Sequence, residues 1–455
     1  MLMKRNTKNS IQRFTDKISY TQIIAIGFIV LILTGTFLLH LPFAARTGTR
    51  TPFIDCLFTA ASATCVTGLT VVDTAMHWSI FGQIVLIFLI QIGGLGFMSV
   101  ITMVFLFFKK QVTLRERRLL LQSAGDNGSV SFSNLIKRIL AGTFIFEGTG
   151  IILLAFFFCP KLGFFKGMWY SVFHSVSAFC NAGFDLMTPL ASSSFKLYYS
   201  NIYVNIILML LIIIGGIGFI VWNDILINRL HFKKYGLHTK IVLCITGILL
   251  FSGTILYLIF ERNDTLADMN IIERIIVSAF QTVSARTAGF YTVDLSKMSE
   301  GGNLLITLLM MIGGNPGSTA GGMKTTTVAV ILVMVLRSAS NDTSVVFFKK
   351  KIPDESVKQA CTIGTVYAAI SLFGTLAICA IENCTLRQGL FEVVSAINTV
   401  GSTQGLTPER CRVSRLIIIF LMYAGRIGGF SLVLALSAKK NKIPLSRPTE
   451  KILIG

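Results

Sequence analysis

Long uncharged stretches constrain this chain more than any other feature of its sequence. They lie at 21–41, 80–108, 139–158, 202–221, 241–260, 303–323, 325–336, 360–381 and 416–437. Most have the roughly 20 residues that an α-helix needs to cross the hydrocarbon core of a bilayer. Because lipid cannot satisfy exposed backbone groups, such stretches must be helical unless protein or water surrounds them. The sequence therefore predicts an all-α polytopic membrane protein. The pieces on either side of Met323 and Lys324 count as one interrupted span, which gives eight spans.

The distribution of charge predicts the orientation in the membrane. A net charge of +20 could indicate a nucleic-acid-binding protein, so the positions of the charges decide the matter. If the spans alternate from a cytoplasmic N-terminus, the inner segments carry 26 Lys and Arg against 8 Asp and Glu. These segments are 1–20, 109–138, 222–240, 337–358 and 438–455. By the positive-inside rule, we predict a multi-pass protein of the plasma (inner) membrane with both termini cytoplasmic, in contact with lipid and not nucleic acid.

The chain lacks the residue patterns of an enzyme or a metal site. Its nine cysteines contain no C-x-x-C pair, and its five histidines contain no pair four residues apart. A disulfide framework and a zinc site are therefore not predicted. No carboxylate pair or nucleophile-base arrangement is apparent either, so we predict that the protein is not an enzyme and binds no cofactor.

A short motif occurs four times in the sequence. In each copy a phenylalanine is followed four residues later by Ser-Ala and then, five or six residues after the serine, by a glycine. The copies run Phe58 to Gly68, Phe173 to Gly183, Phe280 to Gly289 and Phe391 to Gly401. The four glycines are 115, 106 and 112 residues apart, a regularity that indicates an internal repeat. Glycine adopts a positive φ without steric penalty, so each motif predicts a short helix that ends in a turn.

Each repeat contains a span, a half-length helix, the glycine turn and a second span. The half-helices are predicted at about 53–63, 167–178, 271–284 and 388–397. The predicted division of the chain is a cytoplasmic N-terminus 1–20, repeat 1 at 21–108, a cytoplasmic loop and repeat 2 at 109–227, repeat 3 at 228–336, a cytoplasmic loop and repeat 4 at 337–437, and a cytoplasmic C-terminus 438–455. We predict that these four pseudo-symmetric repeats surround a central pore.

The four turns predict an ion selectivity filter. A half-helix cannot cross the bilayer, so a turn at membrane depth must line water or protein. Rings of backbone carbonyls can replace the water shell of a cation, and half-helices directed at the pore place their partly negative C-terminal ends there. The predicted filter residues are Thr67, Gly68, Ala182, Gly183, Ala288, Gly289, Val400 and Gly401, with potassium bound at the glycines. Only the glycine is shared by all four turns, so the ring is predicted to be asymmetric.

The second spans carry glycine pairs, of which the third pair stands in an unusual context. Close helix packing is sufficient to explain Gly93-Gly94 and Gly215-Gly216. In repeat 3, small residues, a proline and a lysine follow the pair, and a helix does not continue easily through them. We predict an intramembrane gating loop at 313–324, formed by Gly313, Gly314, Gly317, Ser318, Thr319, Gly321, Gly322 and Lys324. The stretch from Gly317 to Thr325 resembles a phosphate-binding loop, but it is one residue too long and follows no soluble strand.

Four charged residues lie at membrane depth, where charge is costly. Lys324 is expected to face water or a polar partner. Arg426 is expected either to anchor filter carbonyls or to act as a fixed positive charge that shapes ion occupancy. Arg286 is expected to bond the backbone of the third turn. Glu147 could pair with a buried cation or bind an ion, and the sequence does not choose between these roles.

These motifs resemble the Trk/Ktr/HKT superfamily of potassium transporters, and most closely its KtrB-type membrane subunits. The resemblance covers nearly the whole chain. The residues that carry it are Phe58–Asp73, Gln91–Phe97, Asn181–Phe184, Arg286–Phe290, Gly317–Lys324 and Gly425–Gly428. The resemblance implies that Gly68, Gly183, Gly289 and Gly401 are the filter glycines, that 313–324 is the gating loop, and that Arg426 is the arginine of the last span. Ser402 and Asn315-Pro316 depart from the family pattern.

The resemblance also implies partners and cargo. It implies a homodimer in which each protomer has its own pore, on a cytosolic ring of KtrA-like nucleotide-binding regulatory subunits. Potassium is the implied substrate, with sodium a candidate stimulant, and the nucleotide binds the ring and not this chain. Glycine at the first filter position, Gly68, is typical of potassium-selective relatives. The alternative functions are a coupled secondary transporter of a small solute, which typically has two long repeats, and a sodium-conducting relative.

Overall fold

The computed structural model describes residues 20–96, 132–187, 195, 198–229, 231–340, 344–407 and 411–428. Nearly all of the predicted termini 1–20 and 438–455 lie outside these residues, as do most of the loop 109–138 and the ends of the spans 80–108 and 416–437. Within the described part, the chain is helical apart from loops and one hairpin of two-residue strands, Val346–Phe347 and Lys350–Lys351. The prediction of an all-α fold is confirmed.

Each repeat begins with a long apolar helix. These first helices are Tyr20–Leu39, Phe132–Leu162, Leu237–Phe260 and Asp354–Glu382. All four contain a stretch long and apolar enough to cross a membrane. Each also has a phenylalanine with 62–73% of its side chain exposed, namely Phe37, Phe156, Phe251 and Phe373. Large exposed apolar side chains on every repeat are expected of surfaces that face lipid. The chain is a multi-pass membrane protein.

The half-helices follow in the predicted positions. They are Phe53–Cys65, Phe164–Phe179, Ile271–Ser284 and Leu386–Ile397. Two begin with a capping box: Asn270 with Glu273, and Thr385 with Gln388. In a capping box, the side chains at the helix start satisfy backbone N–H groups that have no partner within the helix.

Within the described residues, the second helix of each repeat ends or bends at a glycine or a loop. Those of repeats 1 and 4, Ile80–Leu95 and Arg412–Ile427, end at Gly96 and Gly428. That of repeat 2, Ile202–Ile217, turns through 94° at Gly218 and continues as Phe219–Asn228. In repeat 3, Glu300–Met311 is separated from Thr325–Ala339 by the predicted loop. The sequence analysis expected an interruption in repeat 3 alone.

Four glycines with positive φ mark these ends, the bend and the loop. They are Gly96, Gly218, Gly317 and Gly428, with φ between 65° and 108°, which an α-helix cannot accommodate. The first three are the third glycines of their motifs, whereas Gly428 is the second of its motif, because Arg426 stands in place of a glycine. The first glycines of the motifs in repeats 1, 2 and 4 allow close packing of the second helices against the half-helices.

Candidate functional site

Four turns with one backbone conformation follow the four half-helices. In each turn, a residue with positive φ lies two positions before a glycine with positive φ. Because residues with positive and negative φ alternate, successive carbonyls point to the same side. The pairs are Val66 and Gly68, Asn181 and Gly183, Thr287 and Gly289, and Thr399 and Gly401. For Val66, Asn181 and the two threonines this conformation is uncommon and must be held by the surrounding structure. The sequence analysis singled out the glycines and missed these partners.

The four turns close into a ring. A Cβ atom added to Gly68 would lie 3.0 Å from the Cα of Gly183, and one on Gly183 would lie 3.2 Å from that of Gly289. The same holds from Gly289 to Gly401, at 3.2 Å, and from Gly401 back to Gly68, at 3.0 Å. In each case the added atom would also contact the carbonyl oxygen that precedes the neighbouring glycine. No side chain larger than glycine fits at these four positions.

The carbonyl groups of this ring have no hydrogen-bond donor. Across the described residues, none donates to the carbonyls of 66–68, 181–183, 287–289 or 399–401. Thr67, Ala182, Ala288 and Val400 are nevertheless fully buried. Buried carbonyls are almost always paired, and leaving them unpaired is costly. Carbonyl oxygens without donors, converging from four sides, are the ligand set that a dehydrated cation requires.

The half-helices add a favourable potential and are themselves held by the second helices. Their C-terminal ends, which carry partial negative charge, lead directly into the ring. Gly93, Gly215 and Gly425 of the second helices lie against the carbonyls of Thr64, Phe179 and Ile397, each four residues before a ring glycine. The contact is so close that a Cβ on any of these second-helix glycines would overlap the carbonyl. The glycine pairs therefore let the second helices support the ends of the half-helices.

The interruption in repeat 3 forms a loop, residues 312–324, that packs against repeats 2 and 4. Thr319 Oγ1 donates to the carbonyl of Phe179 at 3.1 Å, and Asn398 Oδ1 accepts from Met323 N at 3.1 Å. Gly321 lies beside the side chain of Thr399. The loop thus contacts residues just before the second and fourth ring segments. Its neighbour in repeat 2 is the bend at Gly218, whose next residue donates to the Gly317 carbonyl at 2.7 Å.

Three cationic side chains, of which Arg286 is buried and the other two are half-buried, bond the loop and not the ring. Lys324 Nζ donates to the carbonyl oxygens of Ala320 at 2.7 Å and Gly321 at 3.3 Å. Arg286 donates to Thr325 Oγ1 at 3.0 Å, at the end of the loop. Arg426 donates to the carbonyl of Thr319. The expectation that Arg286 bonds the third turn was wrong, and so was the expectation that Arg426 anchors filter carbonyls. The other role expected of Arg426, a fixed positive charge that shapes ion occupancy, stays a prediction. Sequence spacing could not reveal a loop that folds between repeats.

Glu147 is buried behind the second ring segment. Both of its carboxylate oxygens accept from Gln91 Nε2, at 3.0 and 3.2 Å, and the Cys180 thiol lies 3.9 Å from one of them. Cys180 directly precedes the positive-φ residue of that segment. Neither an arginine nor a lysine forms an ion pair with Glu147 in the described part of the chain, and no group of three potential metal-binding side chains occurs there.

Comparison with known proteins bears on the whole chain. The family model for the TrkH cation transport proteins matches residues 3–443. The potassium/sodium uptake protein NtpJ of Enterococcus hirae is 40% identical over 451 residues, 98% of this chain and 99% of NtpJ. The Ktr system potassium uptake protein B of Bacillus subtilis is 37% identical over 438 residues, 95% of this chain and 96% of that protein.

A solved structure has the same fold. The crystal structure of the potassium transporter TrkH from Vibrio parahaemolyticus matches with a TM-score of 0.72, covering 92% of this chain and 84% of that chain at 18% identity. The predicted resemblance to the Trk/Ktr/HKT superfamily is confirmed, as is the prediction that the chain is not an enzyme. On its sequence over nearly its full length, and on its fold, the chain belongs to the TrkH family of cation transport proteins.

Proposed function

We propose that this protein takes up potassium across the plasma membrane through a pore that passes the ring of four glycines. The observation that carries the proposal is the set of buried carbonyls in the ring, which have positive-φ backbone and no donor in the described part of the chain. An ion at the ring would satisfy them, with Thr67, Gly68, Ala182, Gly183, Ala288, Gly289, Val400 and Gly401 as its ligands. The names of the two relatives, both potassium uptake proteins, support the same cargo.

Entry of the ion needs no chemical energy source in this chain. A membrane potential of 100 mV drives one elementary charge with about 2.3 kcal/mol, enough to accumulate a monovalent cation. The basic inner segments favour an orientation with both termini in the cytoplasm. We propose that the chain binds no cofactor and that potassium is its only resident ion.

The loop 312–324 is proposed as the gate. It contacts the residues that precede the second and fourth ring segments. Three cationic side chains bond it, Lys324 and Arg426 through its carbonyls and Arg286 at its end. The relative from Bacillus subtilis is named as part of a Ktr system, which supports a cytosolic nucleotide-binding regulatory ring as the partner that moves this loop. A homodimer on that ring, with one pore per protomer, completes the proposal.

Sodium is the second candidate cargo. NtpJ is named a potassium/sodium uptake protein, and it is 40% identical to this chain. The residue before the ring glycine is not the same in all four repeats. It is Thr67 in repeat 1, alanine in repeats 2 and 3, and Val400 in repeat 4, so the ring lacks true fourfold symmetry. An irregular ring discriminates between ions of different radius less sharply than a symmetric one.

Uptake by the purified protein tests the proposal. The full chain is reconstituted in liposomes loaded with potassium chloride, and entry of ⁸⁶Rb⁺ is followed with and without external sodium. We expect uptake that depends on the protein, saturates with rubidium and is competed more strongly by potassium than by sodium. Equal competition by both ions would favour the sodium-conducting alternative. Absence of uptake, with uptake of a small organic solute instead, would overturn the proposal.

A further inference from the structure

One serine stands behind each segment of the ring. Ser62, Ser177, Ser284 and Ser395 occupy the last turns of the four half-helices, and each is buried, with at most 1% of its surface exposed. They are the serines of the fourfold motif in the sequence. Their equivalent positions suggest one common role, but their hydrogen bonds divide them into two pairs.

In repeats 1 and 4 the serine accepts a hydrogen bond. Ser62 Oγ accepts from the backbone N–H of Gly68 and Ser395 Oγ accepts from that of Gly401, each at 3.1 Å. In these two segments the serine holds the ring glycine itself. It does not hold the residue that follows the glycine.

In repeats 2 and 3 the serine donates a hydrogen bond. The Ser177 hydroxyl donates to the carbonyl of Phe184 at 2.6 Å, and the Ser284 hydroxyl donates to the carbonyl of Phe290. Both carbonyls belong to the residue directly after a ring glycine. The hydrogen bond turns each of them back towards its half-helix, away from the ring axis.

The corresponding carbonyls in the other two repeats are left without a donor. These are the carbonyls of Leu69 and Ser402, to which no residue of the described ranges donates. Ring order places repeats 1 and 4 side by side, and repeats 2 and 3 side by side. The level directly outside the glycines therefore has two available carbonyls on one half and two withdrawn carbonyls on the other.

A second contact fixes the withdrawn half. His174 Nε2 accepts from the backbone N–H of Leu186 at 3.1 Å, two residues after Phe184, while its Nδ1 bonds the carbonyl of Tyr170 at 2.7 Å. The segment after Gly183 is thus tied to its half-helix at two points. Its carbonyl at Phe184 is held in place, and it does not rotate freely towards the axis.

We propose that the outer level of the ring is a one-sided subsite for a monovalent cation, with the carbonyls of Leu69 and Ser402 as its protein ligands. Ser177 and Ser284 are positioning residues that keep the other two carbonyls out of the subsite. The inference deepens the proposed function and rests on it. A subsite with half its carbonyls keeps part of the ion's water shell, binds loosely and releases the ion quickly to the inner ring.

The test is the double variant Ser177→Ala/Ser284→Ala, measured as ⁸⁶Rb⁺ uptake by liposomes at varied rubidium concentrations. Removal of both hydroxyls frees the carbonyls of Phe184 and Phe290 to join the subsite. We expect KM to fall about threefold or more, on the scale of one net hydrogen bond, and Vmax to fall as well because a tighter site releases the ion more slowly. Ser177→Thr/Ser284→Thr keeps the hydroxyls and should restore the wild-type KM.

Two matched pairs provide controls. Ser171 and Ser278 lie in the same two half-helices, but their hydroxyls bond the carbonyl four residues earlier in the helix, so their alanine variants should leave KM unchanged. Ser62→Ala/Ser395→Ala frees no carbonyl and loosens two ring glycines, so KM should not fall and sodium should compete better. If the double variant is inactive, its thermal stability is measured at increasing potassium concentrations. The concentration that gives half of the full stabilisation is then compared in place of KM.

The outcomes separate this inference from the proposed function. The one-sided subsite alone is overturned by one combination of results. In it, the wild-type protein takes up rubidium, and the Ser177→Ala/Ser284→Ala variant has the same KM or half-saturating concentration as the Ser171→Ala/Ser278→Ala control. The same fall in KM for Ser62→Ala/Ser395→Ala also overturns it. A wild-type protein that takes up no monovalent cation defeats the proposed function first.

Discussion

The guanidinium of Arg426 donates a hydrogen bond to the carbonyl of Thr319, in the middle of the intramembrane loop. The same group donates to the carbonyls of Gly93 and Gly94, the latter at 3.1 Å, at the end of the second helix of repeat 1. One side chain of repeat 4 therefore ties the loop of repeat 3 to repeat 1. The carbonyl dipoles offset much of the cost of a charge at this depth.

Replacing Arg426 with glutamine should loosen the loop. Glutamine cannot reach both partners, and each charge-assisted hydrogen bond contributes about 1.5–3 kcal/mol, so the closed position of the loop loses stability. We expect ⁸⁶Rb⁺ flux into liposomes to rise about threefold or more at equal protein content, since 1.4 kcal/mol corresponds to tenfold in an equilibrium constant.

Arg415→Gln is the matched control for this variant. Arg415 lies on the same helix and forms an ion pair with Asp55 without contacting the loop. Its loss should lower thermal stability and leave the flux per folded molecule near the wild-type value. Equal flux in the Arg426 and Arg415 variants would show that Arg426 does not hold the gate.

Deleting Gly314–Gly321 tests the loop directly. The deletion removes Thr319 and the carbonyls that bind Lys324 and Arg426, so the proposed obstruction beneath the ring disappears. Arg286 retains its two partners on either side of the deletion, the Gly313 carbonyl and the Thr325 hydroxyl. We expect a higher ion flux from an inserted, folded protein. Unchanged or lower flux in such a protein would contradict the gating role.

Sequence reasoning predicted the parts of the fold that depend on local pattern. The half-helix expected at 271–284 is Ile271–Ser284 in the structure, because its capping box and its apolar face both lie within the segment. The helix ends at Gly96 and Gly428 and the bend at Gly218 were not predicted. The bend has a contact from elsewhere in the chain, since the Gly317 carbonyl accepts from Phe219 N beside it. A glycine in a helix-compatible sequence does not reveal such contacts.

The partners of buried polar groups were the other limit. The four motif serines are identical in sequence, yet the Ser62 hydroxyl accepts from Gly68 N and the Ser177 hydroxyl donates to the Phe184 carbonyl. Arg286 was assigned to the third turn because it lies three residues before Gly289, and an anchor to filter carbonyls was one of two roles predicted for Arg426 as a charge within the last span. The long side chains of both arginines reach a loop whose path is set by packing against repeats 2 and 4, and no local pattern encodes that path.

Gly68→Ser should weaken discrimination against sodium. A Cβ at Gly68 would lie 3.0 Å from the Cα of Gly183 and closer still to the Ala182 carbonyl, and φ is +94°, so both contact and strain widen the ring. Potassium over sodium selectivity, read from reversal potentials, should fall about tenfold, the equivalent of 1.4 kcal/mol.

Gly405→Ser separates contact from strain. Gly405 has nearly the same φ, +92°, but nothing lies within 4 Å of an added Cβ. This variant should show the cost of backbone strain, about 1 kcal/mol, in its thermal stability and retain wild-type selectivity. If both variants lose selectivity equally, the glycine ring is not the selective element.

Stability should depend on pH through His77, which lies between the half-helix and the second helix of repeat 1. Burial lowers the pKa of His77, partly opposed by Asp55 and Asp73, and its Nε2 lies 2.8 Å from Thr51 Oγ1. The folded state therefore favours the neutral ring. Stability is complete above the unfolded pKa of about 6.5 and falls as the pH drops below it. Thermal unfolding in detergent at pH 5–8 should show this slope, and His77→Gln should flatten it. An unchanged slope would assign the effect to another group.

Glu147→Gln decides between the two roles left open for this carboxylate. Glu147 accepts from Gln91 on both oxygens and has no cationic partner in the described ranges, so its main contribution is to satisfy a buried amide. Glutamine can still accept from Gln91, and we expect normal rubidium uptake with a stability change below about 1 kcal/mol. Glu147→Ala leaves the Gln91 amide unsatisfied and should cost about 1–3 kcal/mol.

The control for Glu147 is Glu300→Ala. Glu300 is exposed and pairs with Arg387, an interaction worth little in water, so this variant should resemble the wild type in both stability and uptake. If Glu147→Gln instead abolishes uptake while its thermal unfolding remains close to that of the wild type, the negative charge itself is required. Glu147 would then be an ion ligand or a fixed countercharge for the permeating cation, behind the ring segment that begins after Cys180.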